Sequence, residues 1–279
     1  MPTITLAHSP DSDDAFMFYA LAAGMIDTQD RTYIHELQDI ESLNRRALNG
    51  ELDVTAVSFH AYAYLHERYA LLPHGCSMGD GYGPRIVSTR PPAGDVAQAL
   101  GGLLVAIPGE RTTANLALKL LRKDVRTVLV PFDEIEDHVL AGNSDAGLLI
   151  HEGQLTYADR GLHLWLDLGE WWKNKTGLPL PLGGNVVRKG LGEDLIKAVS
   201  RDLRQSIVYG LEHRAPALAH AQQFARGLDP AKTDAFVGMY VNDFTVDYGP
   251  VGRAAVQRLL DEARAAGLIP GVRAEFVQD

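Results

Sequence analysis

Apolar and polar positions along this chain fall into short blocks whose period switches between two and about 3.6, the pattern of strands interleaved with helices. The first block, residues 3–8, reads as a strand. It stops at Ser9-Pro10, and Ser12, Asp13 and Asp14 then offer N-cap side chains to an apolar helix over 15–23. Residues 33–37 read as a strand, 40–49 as a helix stopped by Gly50, and 53–58 as a further strand. The unit is βαβαβ.

A Tyr-rich helix follows near 60–71, and a strand over 85–89 is ended by Pro91-Pro92. Alternation then restarts with strand 103–107, a turn at Pro108-Gly109, helix 113–121, strand 127–130, helix 134–140 and strand 146–150. Two stretches share one pattern: Leu48-x-Gly50-x-x-Asp53 leads into the apolar run ending at Ser58, and Leu140-x-Gly142-x-x-Asp145 leads into the run ending at His151. The repeat predicts two α/β lobes of similar plan.

Residues 162–188 pass through Trp171-Trp172 and Leu178-Pro179-Leu180-Pro181 and read as a return crossover ending in a strand over 185–188. Beyond Leu191 the chain is mainly helical, with Leu195, Ile196, Val199, Leu203, Ile207 and Leu211 at helical spacing. The expected organisation is therefore residues 1–90 plus 189–279 as lobe one and 91–188 as lobe two. A ligand cleft lies between them.

With 279 residues, 46% of them hydrophobic, the chain can fill real cores. A net charge of −10 argues against a nucleic-acid surface or an anionic membrane face, so an anionic ligand must be held locally. No apolar run approaches the roughly 20 residues of a membrane span, and the start shows no targeting segment. A cytoplasmic protein is expected. The single cysteine, Cys76, excludes an internal disulfide.

In open α/β sheets ligands bind beyond the carboxyl ends of strands, which here are marked by Ser9, Ser58, Thr112-Thr113 and His151. Ser9 and Thr112-Thr113 also precede helices, whose first N–H groups lack intrahelical partners and can hold a carboxylate. Plain capping explains the same residues. Ser58 can bond neighbouring backbone or a ligand. His151, delivered by a buried strand, can accept a proton near neutral pH, or can be a structural histidine bonded to backbone. Glu152 beside it orients or caps.

Other chemistries fail on spacing. His151-Glu152-Gly153-Gln154-Leu155 lacks the second histidine of a zinc-binding helix, and the remaining histidines form no ligand pattern, so no metal is expected. No Gly-x-Ser-x-Gly elbow surrounds Ser58, which disfavours a Ser58–His151–acid triad. No glycine-rich loop fits a P-loop or a dinucleotide site. Trp171-Trp172 reads as packing more readily than as an aromatic substrate wall.

With these residues in hand, the chain resembles the 1,4-dihydroxy-6-naphthoate synthases of the futalosine route to menaquinone. The resemblance is carried by Ser9-Pro10 through Asp14-Ala15-Phe16-Met17-Phe18-Tyr19, by Ser58-Phe59-His60-Ala61-Tyr62, and by Thr112-Thr113-Ala114. Ile150-His151-Glu152, Gly169-Glu170-Trp171-Trp172 through Gly183, and Tyr240-Val241-Asn242 complete it, so it spans nearly the whole chain. His-Glu followed by Leu155-Thr156-Tyr157, with the Trp-Trp segment, separates this family from its sister chorismate dehydratases.

The resemblance implies a two-lobed fold of the type II periplasmic-binding-protein kind, each lobe a mixed sheet flanked by helices. It implies a lyase acting on cyclic dehypoxanthine futalosine, a carboxylate, to give dihydroxynaphthoate and a three-carbon fragment without a redox cofactor. The family's histidine base falls on His151, and its substrate contacts on Ala56-Val57-Ser58 and Thr113-Ala114. Where relatives often carry Lys, this chain has Ala56, which removes a lysine side-chain contact and leaves a backbone one. The competing readings are chorismate dehydration and a non-catalytic carboxylate-binding protein, since fold does not fix function.

Overall fold

The computed structural model describes residues 2–278. Strands β1 (Thr3–His8), β2 (Thr32–Leu37), β3 (Val54–Ser58), β4 (Tyr69–Leu71) and β5 (Ser77–Gly79) are followed by β6 (Arg85–Ser88), β7 (Leu104–Ile107), β8 (Arg126–Leu129), β9 (Ala146–Leu149), β10 (His163–Asp167) and β11 (Leu180–Arg188). One sheet runs β2-β1-β3-β11-β4 with β5 also on β11, and the other runs β10-β6-β9-β7-β8. Each is mixed. Parallel ladders join β2, β1 and β3 in one and β8, β7 and β9 in the other, while β11 and β6 pair antiparallel.

Sheet membership moves the lobe boundaries away from those the sequence predicts. Strand β6 belongs to the second sheet and β11 to the first, so the chain crosses within 80–84 and 168–179 rather than near 90 and 188. The error has a physical origin. Prolines normally end strands, yet Pro181 is accommodated because the β11–β5 register shifts between Pro181 and Gly183. The Tyr-rich helix is likewise shorter, Phe59–Leu65, and gives way to β4, whose Tyr69 hydroxyl donates to the Leu52 carbonyl at 2.7 Å.

The long helix Glu193–Glu212 packs on the first sheet. Val199, Leu203 and Ile207 are fully buried in one cluster with Ile4, Leu6 and Val54, which places the C-terminal third on lobe one. Among the described residues no helix is long and apolar enough to cross a membrane.

The sequence repeat has a structural cause. Gly50 and Gly142 both sit at φ 75°, in the left-handed region that side chains avoid, and each turns the chain from a helix toward a strand. The aspartate three residues on then ties the strand to its neighbour. Asp53 Oδ2 accepts from the Thr5 N–H (3.1 Å) and hydroxyl (3.2 Å), and Asp145 Oδ2 accepts from the Leu104 N–H (2.8 Å). Leu6 then pairs with Val54, and Val105 with Ala146. The two lobes thus start their central strands with one clamp in one register.

Asp53→Ala leaves the Thr5 N–H and hydroxyl without that partner and should lower stability by about 1–3 kcal/mol. A urea midpoint indistinguishable from wild type would contradict the clamp.

Candidate active site

Between the sheets lies a cavity of about 120 Å³ that opens to solvent. Ser9, Ala56, Val57, Ser58, Thr112, Thr113 and Ala114 all line it. His151 does not. It is buried beside the wall, 6% exposed, while its neighbours Ile150 and Gln154 face the cavity.

The clamp register explains the difference. Ser58 lies five residues beyond Asp53, and the residue five beyond Asp145 is Ile150. Ser58 and Ile150, at these matching positions, both line the cavity, whereas Phe59 and His151, one position on and already past the strands, are buried in protein. Reading the strand one residue long made His151 the counterpart of Ser58.

His151 Nδ1 accepts from the Gly153 N–H at 2.8 Å, which assigns the proton of a neutral ring to Nε2. The ring stands 5.6 Å from that of Phe132, edge to face. Phe132 and Ile150 line a smaller cavity beside the main one, together with Ser9, Asp11, Asp39, Ile40 and Pro108. The imidazole is thus one side chain away from open space.

The donors at the cavity are distributed unevenly. Thr112 caps the helix Thr113–Leu121 by accepting from the Asn115 N–H (3.2 Å) and donates its own hydroxyl to the Gly109 carbonyl (2.9 Å). Thr113 donates its hydroxyl to the Leu182 carbonyl at 2.5 Å. Capping is real, and both hydroxyls are spent. What remains at that first turn is backbone N–H at Thr113 and Ala114, at the positive end of the helix dipole. Ser58 accepts from Asn44 Nδ2 (3.3 Å), which leaves its own proton to give.

The cavity wall formed by the turn after β1, the strand next to β3, is acidic. Ser9 lines it, but its N–H donates to Asp14 Oδ2 (2.7 Å) and its hydroxyl to Asp11 Oδ2 (2.5 Å), so Ser9 offers an anion nothing. The helix begins earlier than predicted, at Ser12, and Asp11 occupies the N-cap position without a side-chain cap bond. Burial pushes the Asp14 carboxyl up to about 7, even though the Ser9 N–H favours its charged form. Asp13 is raised well above the usual carboxylate range by burial and then by the neighbouring Asp14, Asp11 and Glu152.

Several wall residues were not read as site residues from the sequence. Phe236 and Tyr240 reach the cavity from the helix Pro230–Tyr240, and the Tyr240 hydroxyl donates across the lobes to Gln154 Oε1 at 2.7 Å. Gly183 and Gly184 form part of the floor, where a Cβ on Gly184 would meet the Tyr248 hydroxyl at 2.3 Å. Tyr240 carried a signal in the Tyr240-Val241-Asn242 motif, and Gly183 at the end of the segment that begins Gly169-Glu170-Trp171-Trp172. Trp172 is fully buried, its indole donating to the Pro179 carbonyl at 3.2 Å, and lies outside the cavity.

With this geometry in view, comparison with known proteins is decisive. A family model described as menaquinone biosynthesis matches residues 4–265. The chain belongs to the 1,4-dihydroxy-6-naphthoate synthase family of menaquinone biosynthesis. A protein of Thermus thermophilus named 1,4-dihydroxy-6-naphtoate synthase is 42% identical over 99% of this chain and 100% of its own length. One of the same name from Streptomyces coelicolor is 38% identical over 97% of this chain and 96% of its own.

Among solved structures, a protein of Archaeoglobus fulgidus superposes with a TM-score of 0.91 at 46% identity, covering 96% of this chain and 98% of that one. A Candida albicans protein described as having the generic periplasmic binding protein fold superposes at 0.77 with 13% identity, covering 100% and 98%. The fold of this family member is therefore periplasmic-binding-protein-like, as the resemblance implied.

The raised Asp14 pKa has a definite sign. A carboxyl that titrates at about 7 when folded and near 3.8 when unfolded binds its proton more tightly in the native state, so its contribution to stability falls as pH rises through that window. Asp14→Asn removes this slope. Its stability relative to wild type should grow between pH 4 and pH 7 and level off above. His8, lowered to about 3 by burial, weakens both proteins alike as pH falls below 6.5 and cancels in the difference. Parallel denaturation curves for the two proteins across that range would contradict the assignment.

Proposed function

We propose that this family member is a carbon–carbon lyase that converts cyclic dehypoxanthine futalosine to 1,4-dihydroxy-6-naphthoate in the cytoplasm. The observation that carries the reading is the polarity of the cavity. Free donors at Thr113, Ala114 and Ser58 line the one cavity together, a match for a ligand carboxylate.

In this reading the substrate carboxylate sits at the first turn of the helix Thr113–Leu121 and accepts from the Ser58 hydroxyl. Ala56 contributes backbone, since its methyl group has no proton to give. The aromatic ring of the product forms when carbon-bound protons leave, and His151 is the base that takes one. Its lone pair is Nδ1, so base action begins when the Gly153 N–H lets go of that nitrogen. Carbon–carbon cleavage and elimination of the three-carbon fragment follow, driven by aromatisation.

Purified protein should consume cyclic dehypoxanthine futalosine and release 1,4-dihydroxy-6-naphthoate while leaving the diene absorbance of chorismate unchanged. His151→Ala should lower kcat by about 10²- to 10⁴-fold, the usual worth of a general base. Ser58→Ala should instead weaken binding about 10-fold or more, as expected for a lost hydrogen bond to a charged group. Wild-type turnover by a folded His151→Ala protein would remove the base assignment. Loss of chorismate's absorbance would move the protein to the dehydratase class, and binding without turnover to the non-catalytic one.

A further inference from the structure

Arg226 occupies an unusual place in the fold. It is one of two non-glycine residues with a positive φ among those described, at 44°, a backbone conformation that costs free energy and persists only where surrounding contacts enforce it. It follows the short 3-10 turn Gln222–Phe224 on lobe one, and its guanidinium spans the mouth of the cleft. One nitrogen lies 2.6 Å from Asp11 Oδ1 and 3.3 Å from Glu152 Oε2, and the other donates to the Pro10 carbonyl at 3.4 Å. Its planar face lies over the Phe132 ring, 4.4 Å from the centroid.

Asp11 and Pro10 belong to lobe one, Glu152 and Phe132 to lobe two. Two carboxylates approach across the cleft here, and a guanidinium between them turns a repulsion into an attraction. Glu152 is secured a second time on the lobe-one side, by the Ser12 hydroxyl (3.2 Å) and N–H (3.4 Å). Both lobe-two contacts of Arg226 bear directly on the imidazole. Glu152 is its neighbour in the chain, and the Phe132 ring is its edge-to-face partner.

We propose that Arg226 is a positioning residue: lobe closure seats its guanidinium between Asp11 and Glu152 and against Phe132, and this fixes the His151 imidazole beside the substrate cavity. The proposal rests on the lyase reading above for its kinetic readout, and on closure alone for its structural one. A guanidinium suits the task because it pairs with two carboxylates in its plane while stacking on an aromatic face, which an ammonium does not do.

The test uses the full chain, with Arg226→Ala, Arg226→Lys and, as a variant that leaves the ion pairs in place, Phe132→Leu. Dyes on cysteines at the exposed positions Met25 and Leu140, one on each lobe, report closure by energy transfer without substrate. Arg226→Ala should populate a more open form and lose about 10- to 100-fold in kcat with KM changed much less, and millimolar guanidinium should restore part of both. Arg226→Lys should restore closure more fully than turnover, and Phe132→Leu should lower kcat while keeping the lobes closed.

An Arg226→Ala protein that stays closed, or one that opens yet keeps wild-type kcat, would overturn the proposal. So would unchanged kcat in Phe132→Leu, which decides the matter even where Arg226→Ala fails to fold. A wild-type protein inactive on cyclic dehypoxanthine futalosine sinks the lyase reading instead, and closure measurements on the same variants still decide whether Arg226 holds the lobes.

Discussion

Which residues face the cleft is decided at the far ends of two strands, where Asp53 and Asp145 tie β3 to β1 and β9 to β7. Fixing where each strand starts fixes where it ends, so Ser58 and Ile150, five residues beyond the clamps, meet the cavity and His151, one further, lies behind it. The same constraint gives the lobes their matching plan, because a left-handed glycine and an aspartate at one spacing launch the central strand in each.

The cleft built on that frame is electrostatically divided. In a chain with a net charge of −10, an anionic ligand gains nothing from the protein as a whole and depends on local donors. Those donors are backbone amides at one helix start and a serine hydroxyl. On the wall after β1, Asp11, Asp13 and Asp14 crowd toward Glu152, and burial raises the carboxyl pKa of Asp13 and Asp14. Arg226 balances the outer part of this acidic wall from across the mouth of the cleft, so charge compensation and lobe contact are one arrangement.

Much of this could be read from the chain before any coordinates. The helix Thr113–Leu121 begins and ends at the predicted residues because Thr112 is a strong cap and the apolar spacing is regular. Seven of the eight expected site residues line the cavity because strand ends and helix starts are local features that sequence records well. Other features depend on tertiary pairing. Pro181 looked like a strand breaker until a register shift absorbed it. Asp13 and Asp14 looked like helix caps because their burial comes from helices far along the chain, within residues 193–240, that pack on theirs. Phe236 arrives from a helix far away in the chain, which no local pattern announces. The position of His151 was legible in principle, since counting from Asp145 as from Asp53 gives Ile150, but the apolar run hid where the strand stops.

The most direct measurement is a crystal structure of the protein with 1,4-dihydroxy-6-naphthoate bound. The account predicts the carboxylate within hydrogen-bond distance of the Thr113 and Ala114 amides and the Ser58 hydroxyl, the aromatic ring pointing toward Ile150, and His151 within reach of the ring through one side-chain rotation. A carboxylate lodged against the aspartate wall, or a ligand held wholly outside the inter-lobe cavity, would contradict it.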